Sequence, residues 1–207
     1  MNSIISLLML IMPFFLVAML NIILKKNSKR LKKEISWQHY LFGYFFIFYL
    51  MITLVLMVGV PSLSEWKRCL RLNQPIFNSN INLVPFKDSF ELTSIFNIIL
   101  FMPFGFLLPT LWEKYRNLWP TFCYGLIFSI IIEGSQLFTR NRTSDINDLI
   151  FNTLGTVCGW IIFNSMRNVL HKLTDKTVVK ILPSDTLAIK LEPHLYIVIS
   201  IICAFFQ

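Results

Sequence analysis

The sequence has few charged residues for its length, and this scarcity argues against an ordinary soluble domain. Of its 207 residues, 14% are Asp, Glu, Lys or Arg, whereas 55% are hydrophobic and 15% are aromatic. Soluble domains carry about 25% charged residues. The composition therefore indicates lipid, not water, as the solvent of most of the surface.

Cysteine is also scarce, and its spacing excludes two classes of site. The four cysteines, Cys69, Cys123, Cys158 and Cys203, form no C-x-x-C pair. Three of them fall inside apolar stretches, where a thiol behaves as a small hydrophobic group. The sequence therefore predicts neither a metal site nor a disulfide framework, and it indicates no cofactor. Internal repeats and Gly/Ser-rich linkers are absent from the sequence as well, which favours a single membrane domain.

The formal net charge of +8 does not indicate a nucleic-acid-binding protein. Such a protein needs a folded basic face with elements that enter a groove or stack on bases. Here the basic residues lie between apolar stretches, where they fix topology and meet anionic headgroups. Membrane lipids are the predicted partners, nucleic acid is not, and salt-sensitive binding to another acidic partner is the minor alternative.

The sequence does contain apolar stretches long enough to cross a bilayer. A helix needs about 20 residues to span a hydrocarbon core of about 30 Å. Five stretches meet this requirement: residues 4–24, 40–60, 92–112, 118–138 and 146–166. The predicted fold class is an all-α integral membrane protein, a bundle of five transmembrane helices. For the shorter apolar run at residues 195–206, a thin sixth C-terminal span, an interfacial helix and a partner-facing segment remain alternatives.

Basic residues predict the orientation of this bundle. Six Lys and Arg residues follow the first stretch, and 13 of the 19 in the chain would lie on that side. The positive-inside rule makes that side cytoplasmic and places the amino terminus outside. Three parts are expected: two helices and an outer loop in residues 1–79, a compact three-helix core in residues 80–166, and a cytoplasmic or interfacial tail in residues 167–207 that includes the alternative span.

Polar residues gather at the predicted outer ends of the third, fourth and fifth spans. A charged side chain inside a span costs about 2.5–3.5 kcal/mol at the midplane, so it usually faces protein or water. Glu133 and Gln136 share one helix face, and the fifth span opens with a second polar stripe. We therefore predict an outward-facing polar pocket that binds a ligand. Its residues are Asn97, Glu133, Gln136, Arg140, Asp145, Asp148 and Asn152.

The same residues also have a purely structural interpretation. Glu133 and Gln136 can belong to a buried hydrogen-bond network, Asp145 can cap a helix, and Arg140 can meet lipid headgroups, as can Arg142. Five small or cyclic residues are predicted to shape the backbone around them, through turns, a loosened helix or close helix approach. They are Pro85, Pro103, Gly105, Gly155 and Gly159.

Four sequence words resemble the VanZ-like family of bacterial membrane proteins. They are N-I-N-L-V-P-F (80–86), N-I-I-L-F-M-P-F-G-F-L-L (97–108), E-G-S-Q (133–136) and D-I-N-D-L-I-F-N-T-L-G (145–155). The resemblance implies a multi-pass protein of the bacterial cell membrane that lowers susceptibility to glycopeptide antibiotics such as teicoplanin, by reducing engagement of the drug with its cell-surface target. It brings no assigned catalytic role for any residue.

Two functions therefore remain open. In the first, a non-enzymatic envelope protein binds or alters a glycopeptide or a surface lipid through the polar pocket. In the second, a membrane enzyme or transporter acts on a lipid-linked phosphate or cell-wall precursor, with the carboxylates as acids, bases or cation ligands. The predicted outer half contains no histidine, because His39 and His171 fall on the cytoplasmic side and His194 in the tail. An enzyme or cation site needs two converging carboxylates, whereas a structural network pairs each carboxylate with a donor.

Overall fold

Long apolar helices connected by short segments make up most of the chain. The computed structural model describes residues 3–77, 80–86, 92–140, 142–169 and 171–207, with side chains from residue 11 onward. The helices are α1 (Ser3–Arg30), α2 (Trp37–Met51), α3 (Leu63–Arg71), α4 (Leu92–Leu111), α5 (Leu118–Gln136), α6 (Ile146–Met166), α7 (His171–Thr177) and α8 (Leu187–Phe205). A π-helical turn (Ile52–Val58) extends α2, and a 3₁₀ turn (Glu113–Arg116) joins α4 to α5. Two short strands, β1 (Ile81–Asn82) and β2 (Ser144–Asp145), complete the described elements.

Six helical stretches of the described residues are long and apolar enough to cross a membrane. They correspond to α1, to α2 with its π-helical turn and α3, and to α4, α5, α6 and α8. The all-α membrane fold and its five predicted spans are thereby confirmed. The lipid-facing surface carries many exposed large apolar side chains, as expected of helices whose solvent is hydrocarbon.

The sequence left a sixth span as one of three alternatives. In the structure, the helix at this position is longer than the apolar run on which that alternative rested. Helix α8 contains 19 residues and begins at Leu187, eight positions before residue 195. Its first half contains Glu192, which is fully buried inside the bundle and not exposed to lipid. A hydropathy profile counts this carboxylate against a membrane span. The profile does not include the side chains from other helices that satisfy the carboxylate.

Three helices meet at this buried glutamate. Its Oε1 lies 2.7 Å from Nε2 of His39 on α2, and its Oε2 accepts a 3.0 Å hydrogen bond from Nε1 of Trp112 after α4. Nδ1 of His39 lies 2.8 Å from the carbonyl oxygen of Thr177, which can only accept. Nδ1 therefore carries a hydrogen, and one further proton is shared between the imidazole and the carboxylate. We call His39, Glu192 and Trp112 the buried clamp.

The segments around the clamp form one end of the bundle. We call this the basic end, defined by residues 25–36, 113–117, 167–169 and 171–186. Lys33 Nζ lies 2.6 Å from Oδ2 of Asp185, and the Val179 N–H donates to the Leu111 carbonyl over 2.8 Å. Burial tends to raise the pKa of Asp185, but the Leu182 N–H and the Lys33 ammonium hold it below its ordinary value. These contacts tie the chain before α8 to the ends of α1 and α4.

Helices α4 and α6 pack through their backbones. A Cβ on Gly155 or Gly159 would overlap the carbonyl oxygen of Ile98 or Met102, respectively. In the opposite direction, Gly105 of α4 lies against the carbonyl of Thr156. Close approach of this kind is how helices associate in lipid, where no hydrophobic force drives them together.

Replacing Gly159 by alanine should destabilise the protein, because its new methyl group has no space against α4. Overpacking of this kind costs about 1–3 kcal/mol. Gly134 is a matched control, since nothing lies within 4 Å of a Cβ built on it. Thermal unfolding in detergent should show a lower midpoint for Gly159→Ala and an equal or higher one for Gly134→Ala. Equal midpoints for both variants would contradict the α4–α6 packing.

The number of spans can be tested by labelling. With six spans, the amino end of α1 and the carboxyl end of α8 lie on the same side, opposite the basic end. In a variant without native cysteines, Gln207→Cys should react with a membrane-impermeant maleimide on intact cells, whereas Lys26→Cys should react only after permeabilisation. Reaction of both from the same side would rule out α8 as a span.

Candidate functional site at the polar end

The segment before α4 lies against the start of α6. Strand β1 pairs in parallel with β2, so that Ile81 faces Ser144 and Asn82 faces Asp145. The Phe86 N–H then donates a 2.9 Å hydrogen bond to Oδ1 of Asn147. Phe86 has a positive φ of 57°, so the chain turns sharply directly after Pro85. We call this region, with residues 59–77, 80–86, 137–140 and 142–145, the polar end of the bundle.

Asp145 joins three segments at this end. It is the N-cap of α6, where its Oδ1 accepts from the Asn147 N–H over 2.8 Å. Its Oδ2 accepts from Nδ2 of Asn82 over 3.1 Å. Its own backbone N–H donates a 3.0 Å hydrogen bond to Oε2 of Glu133 on α5. The structure thus gives Asp145 the capping role that the sequence offered as its alternative.

Two further carboxylates lie beside this junction. Glu133 is only 7% exposed, and the start of α6 that it faces is the positive end of the helix dipole. Asp148, one turn into α6, accepts a 2.6 Å hydrogen bond from Nδ2 of Asn97 on α4. Helices α4, α5 and α6 therefore meet at one network, which we call the polar cluster: Asn82, Asn97, Glu133, Asp145 and Asp148.

Two buried amides lie one helical turn from carboxylates of the polar cluster, Gln136 from Glu133 on α5 and Asn152 from Asp148 on α6. Asn152 donates a 3.1 Å hydrogen bond from Nδ2 to Oγ of Ser129, and Gln136 donates over 3.4 Å from Nε2 to the Val58 carbonyl. Among the described residues, neither Oδ1 of Asn152 nor Oε1 of Gln136 has a hydrogen-bond partner. A buried acceptor of this kind is costly unless a donor reaches it.

Arg140 takes part in a different set of contacts. Its backbone N–H donates a 3.2 Å hydrogen bond to Oε1 of Glu65, and its guanidinium donates to the side chain of Gln74. Arg142 donates over 3.1 Å to the Met57 carbonyl, beside Gly59 at the end of the π-helical turn. Both arginines thus brace the loop between α5 and α6 against the segment around α3.

Sequence reasoning named seven pocket residues, and the structure brings most of them to one end of the three-helix core. It also adds Asn82, Ser129 and Asn147, which were not among them. Ser129 lies four residues before Glu133, on the helix face that also holds Gln136, and this spacing could have identified it. Asn82 and Asn147 could not be found in this way, because their roles depend on the pairing of β1 with β2.

The geometry bears on the chemistry available to the carboxylates. Each of the three accepts from an N–H group: Asp145 from Asn82, Asp148 from Asn97, and Glu133 from a backbone amide. Within the described part of the chain, no group of three His, Cys, Asp or Glu residues is placed to hold a metal ion. The arrangement is that of a hydrogen-bonded network with two acceptors that have no partner in the described part of the chain.

The link between α4 and α6 should be measurable as a free-energy coupling. Asn97→Ala removes the donor to a carboxylate, and such hydrogen bonds contribute about 1.5–3 kcal/mol. Asn164→Ala, an exposed asparagine at the other end of α6, is the matched control. Thermal unfolding should show lower stability for Asn97→Ala and nearly unchanged stability for Asn164→Ala. The double variant Asn97→Ala, Asp148→Ala should lose less stability than the sum of the losses of the two single variants. Strict additivity would refute the pairing.

Comparison with known proteins identifies relatives of this chain. The family model described as VanZ/LLP1 matches residues 42–167, which include most of α2, all of α3 to α6 and the whole polar cluster. Protein VanZ of Enterococcus faecium is 29% identical over 102 residues, which are 48% of this chain and 63% of that protein. The match thus spans less than two thirds of the length of that relative. No solved structure matches the chain.

Proposed function

Because the chain belongs to the VanZ/LLP1 family, we propose that it is a non-enzymatic envelope protein that lowers susceptibility to glycopeptide antibiotics such as teicoplanin. The polar end of the bundle is the region that carries this function. It binds the drug or a surface lipid that the drug approaches, and so reduces engagement of the drug with its target.

The observation that carries the proposal is the pair of unpartnered acceptors beside the polar cluster. Neither Oε1 of Gln136 nor Oδ1 of Asn152 has a hydrogen-bond partner among the described residues, so each remains able to accept a hydrogen bond. An intramembrane polar group that is costly to keep usually serves a ligand or a pathway. Glycopeptides and lipid headgroups both carry N–H or O–H donors that suit these atoms.

An apolar cavity at the polar end of the bundle supports an acylated ligand. It encloses about 220 Å³ between the end of the π-helical turn, α5 and α8. Its lining includes Leu54, Pro61, Ile132 and Phe205, and Ser135 is almost its only polar contributor. Val60 and Pro61, which also line it, belong to the polar end, so the cavity lies at that end of the bundle. Apolar walls beside a few oriented polar groups are typical of small-molecule sites.

The predicted orientation agrees with this proposal. If the basic end faces the cytoplasm, as the excess of Lys and Arg predicts, the polar cluster lies at the outer surface. There it meets both antibiotics and exported lipid-linked precursors. The hydrogen-bonded state of all three carboxylates favours binding over acid–base chemistry on such a precursor, because each is already held by a donor.

A susceptibility assay tests the proposal. A sensitive Gram-positive host should bind less fluorescent teicoplanin when it expresses the wild-type protein. With Glu133→Gln or Asp148→Asn, drug binding should rise toward that of the host without the protein. Glu34→Gln makes the same chemical change at an exposed site of the basic end, so it should behave as wild type. Teicoplanin should be affected more than vancomycin, because the cavity is apolar.

Membrane levels of every variant are matched by quantitative blotting, so that misfolding is not read as lost function. Unchanged drug binding in cells with well-inserted wild-type protein would overturn the proposal. If Glu34→Gln and Glu133→Gln lost the protective effect equally, the function would not depend on the polar end. Profiling of lipid-linked precursors would then test the enzymatic or transport alternative.

A further inference from the structure

A second polar recess lies at the basic end, far from the polar cluster. It is a cleft of about 400 Å³ between the 3₁₀ turn, the start of α5, the end of α6 and the segment before α8. We call it the basic cleft. Its lining residues are Glu113, Lys114, Arg116, Asn117, Arg167 and Ile181.

Positive charge dominates the walls of the basic cleft. Three of its lining residues are cationic, and Glu113 is the only carboxylate among them. That carboxylate already faces another cation, since its Oε2 lies 3.8 Å from Nζ of Lys180. Lys114 and Arg167 are exposed, so they can reach a ligand without reorganising the bundle. Arg116 is also paired, since its Nη2 lies 3.2 Å from Oδ1 of Asp175. With Lys180 and Asp175 included, four cations still face two carboxylates, so the local field favours an anion.

The walls of the basic cleft are held rigidly by hydrogen bonds. The Glu113 N–H donates to the Val179 carbonyl over 3.1 Å, and Nε1 of Trp160 donates to the Arg116 carbonyl over 3.2 Å. Nη2 of Arg116 in turn donates to the Thr174 carbonyl over 3.1 Å. A cleft whose cations are positioned in advance loses less entropy when it binds a ligand.

Aromatic and apolar side chains place the basic cleft at the depth of lipid headgroups. Trp119, on the first turn of α5 just beyond Asn117, is 72% exposed, and its ring stacks on Phe122 at 5.4 Å. Exposed tryptophan is enriched where a membrane meets water. Leu118 is exposed as well, so apolar surface begins directly beside the cations. Basic pockets between helices at this depth bind anionic headgroups.

We propose that the basic cleft is a binding site for a phosphate group, presented by an anionic phospholipid of the surrounding leaflet or as free phosphate. Arg167 and Lys114 bind the phosphate oxygens, while Arg116 fixes the shape of the cleft. The site is separate from the polar cluster, and its existence does not depend on the antibiotic function.

Binding is tested with the full-length protein in neutral detergent. The probes are dihexanoyl phosphatidylglycerol, dihexanoyl phosphatidylcholine and inorganic phosphate, each titrated by microscale thermophoresis. A basic residue near a membrane surface contributes about 1 kcal/mol to anionic lipid binding, which corresponds to about fivefold in affinity. We expect Arg167→Gln to weaken phosphatidylglycerol binding by about that factor, and Lys114→Gln with Arg167→Gln to weaken it further.

Lys172→Gln is the matched control, because Lys172 is an exposed lysine of the basic end that does not line the cleft. It should leave affinity unchanged, and thermal unfolding should show all variants folded. Selective binding of phosphatidylglycerol supports the site and assigns its ligand to lipid, whereas equal binding of inorganic phosphate supports it and assigns free phosphate. Three results would overturn the proposal: a loss of affinity in Lys172→Gln as large as that in Arg167→Gln, binding of phosphatidylcholine as tight as that of phosphatidylglycerol, or no binding of either anion.

Discussion

The close approach of the α4 and α6 backbones is the constraint on which the rest of the core depends. Gly155 and Gly159 face the carbonyl groups of α4, and Gly105 faces the backbone of α6. Any side chain at these positions would push the helices apart. Because Asn97 and Asp148 extend the same interface toward the polar end, their 2.6 Å hydrogen bond requires this spacing. A wider separation would leave Asp148 without the Asn97 amide, at a point where lipid offers no substitute.

Two buried amides beside the polar cluster bear on the proposed ligand site. A network built only for stability would satisfy its buried atoms, since each unpaired acceptor costs about 1–3 kcal/mol. Glu133, Asp145 and Asp148 follow this rule, but Gln136 and Asn152 each keep one oxygen without a partner in the described structure. The two exceptions lie on neighbouring helices, Gln136 on α5 and Asn152 on α6. The proposed ligand site rests on these two acceptors.

Local sequence was sufficient for the five spans, because each is a long apolar stretch bounded by polar segments. It was not sufficient for α8, in which Lys190, Glu192 and His194 interrupt the hydropathy of the first half. Glu192 is tolerated there only because His39 and Trp112 come from helices far away in the chain. The hydrogen-bond partners of Arg140 could not be predicted for the same reason, since the tertiary fold brings Glu65 and Gln74 to it. Spacing along one helix predicts which residues share a face, but not which partner that face meets.

Helix α8 connects the two chemically different ends of the molecule. Glu192 holds its first half in the buried clamp, where one proton is shared with His39 and removal of either partner would leave the other uncompensated. At the far end, the ring of Phe205 packs on Trp66 at 4.9 Å, and the Trp66 indole donates to the Phe138 carbonyl over 3.0 Å. The last turn of α8 also lines the apolar cavity. The clamp at the basic end therefore sets the position of a wall of the proposed ligand site, although no residue of the clamp lies near the polar cluster.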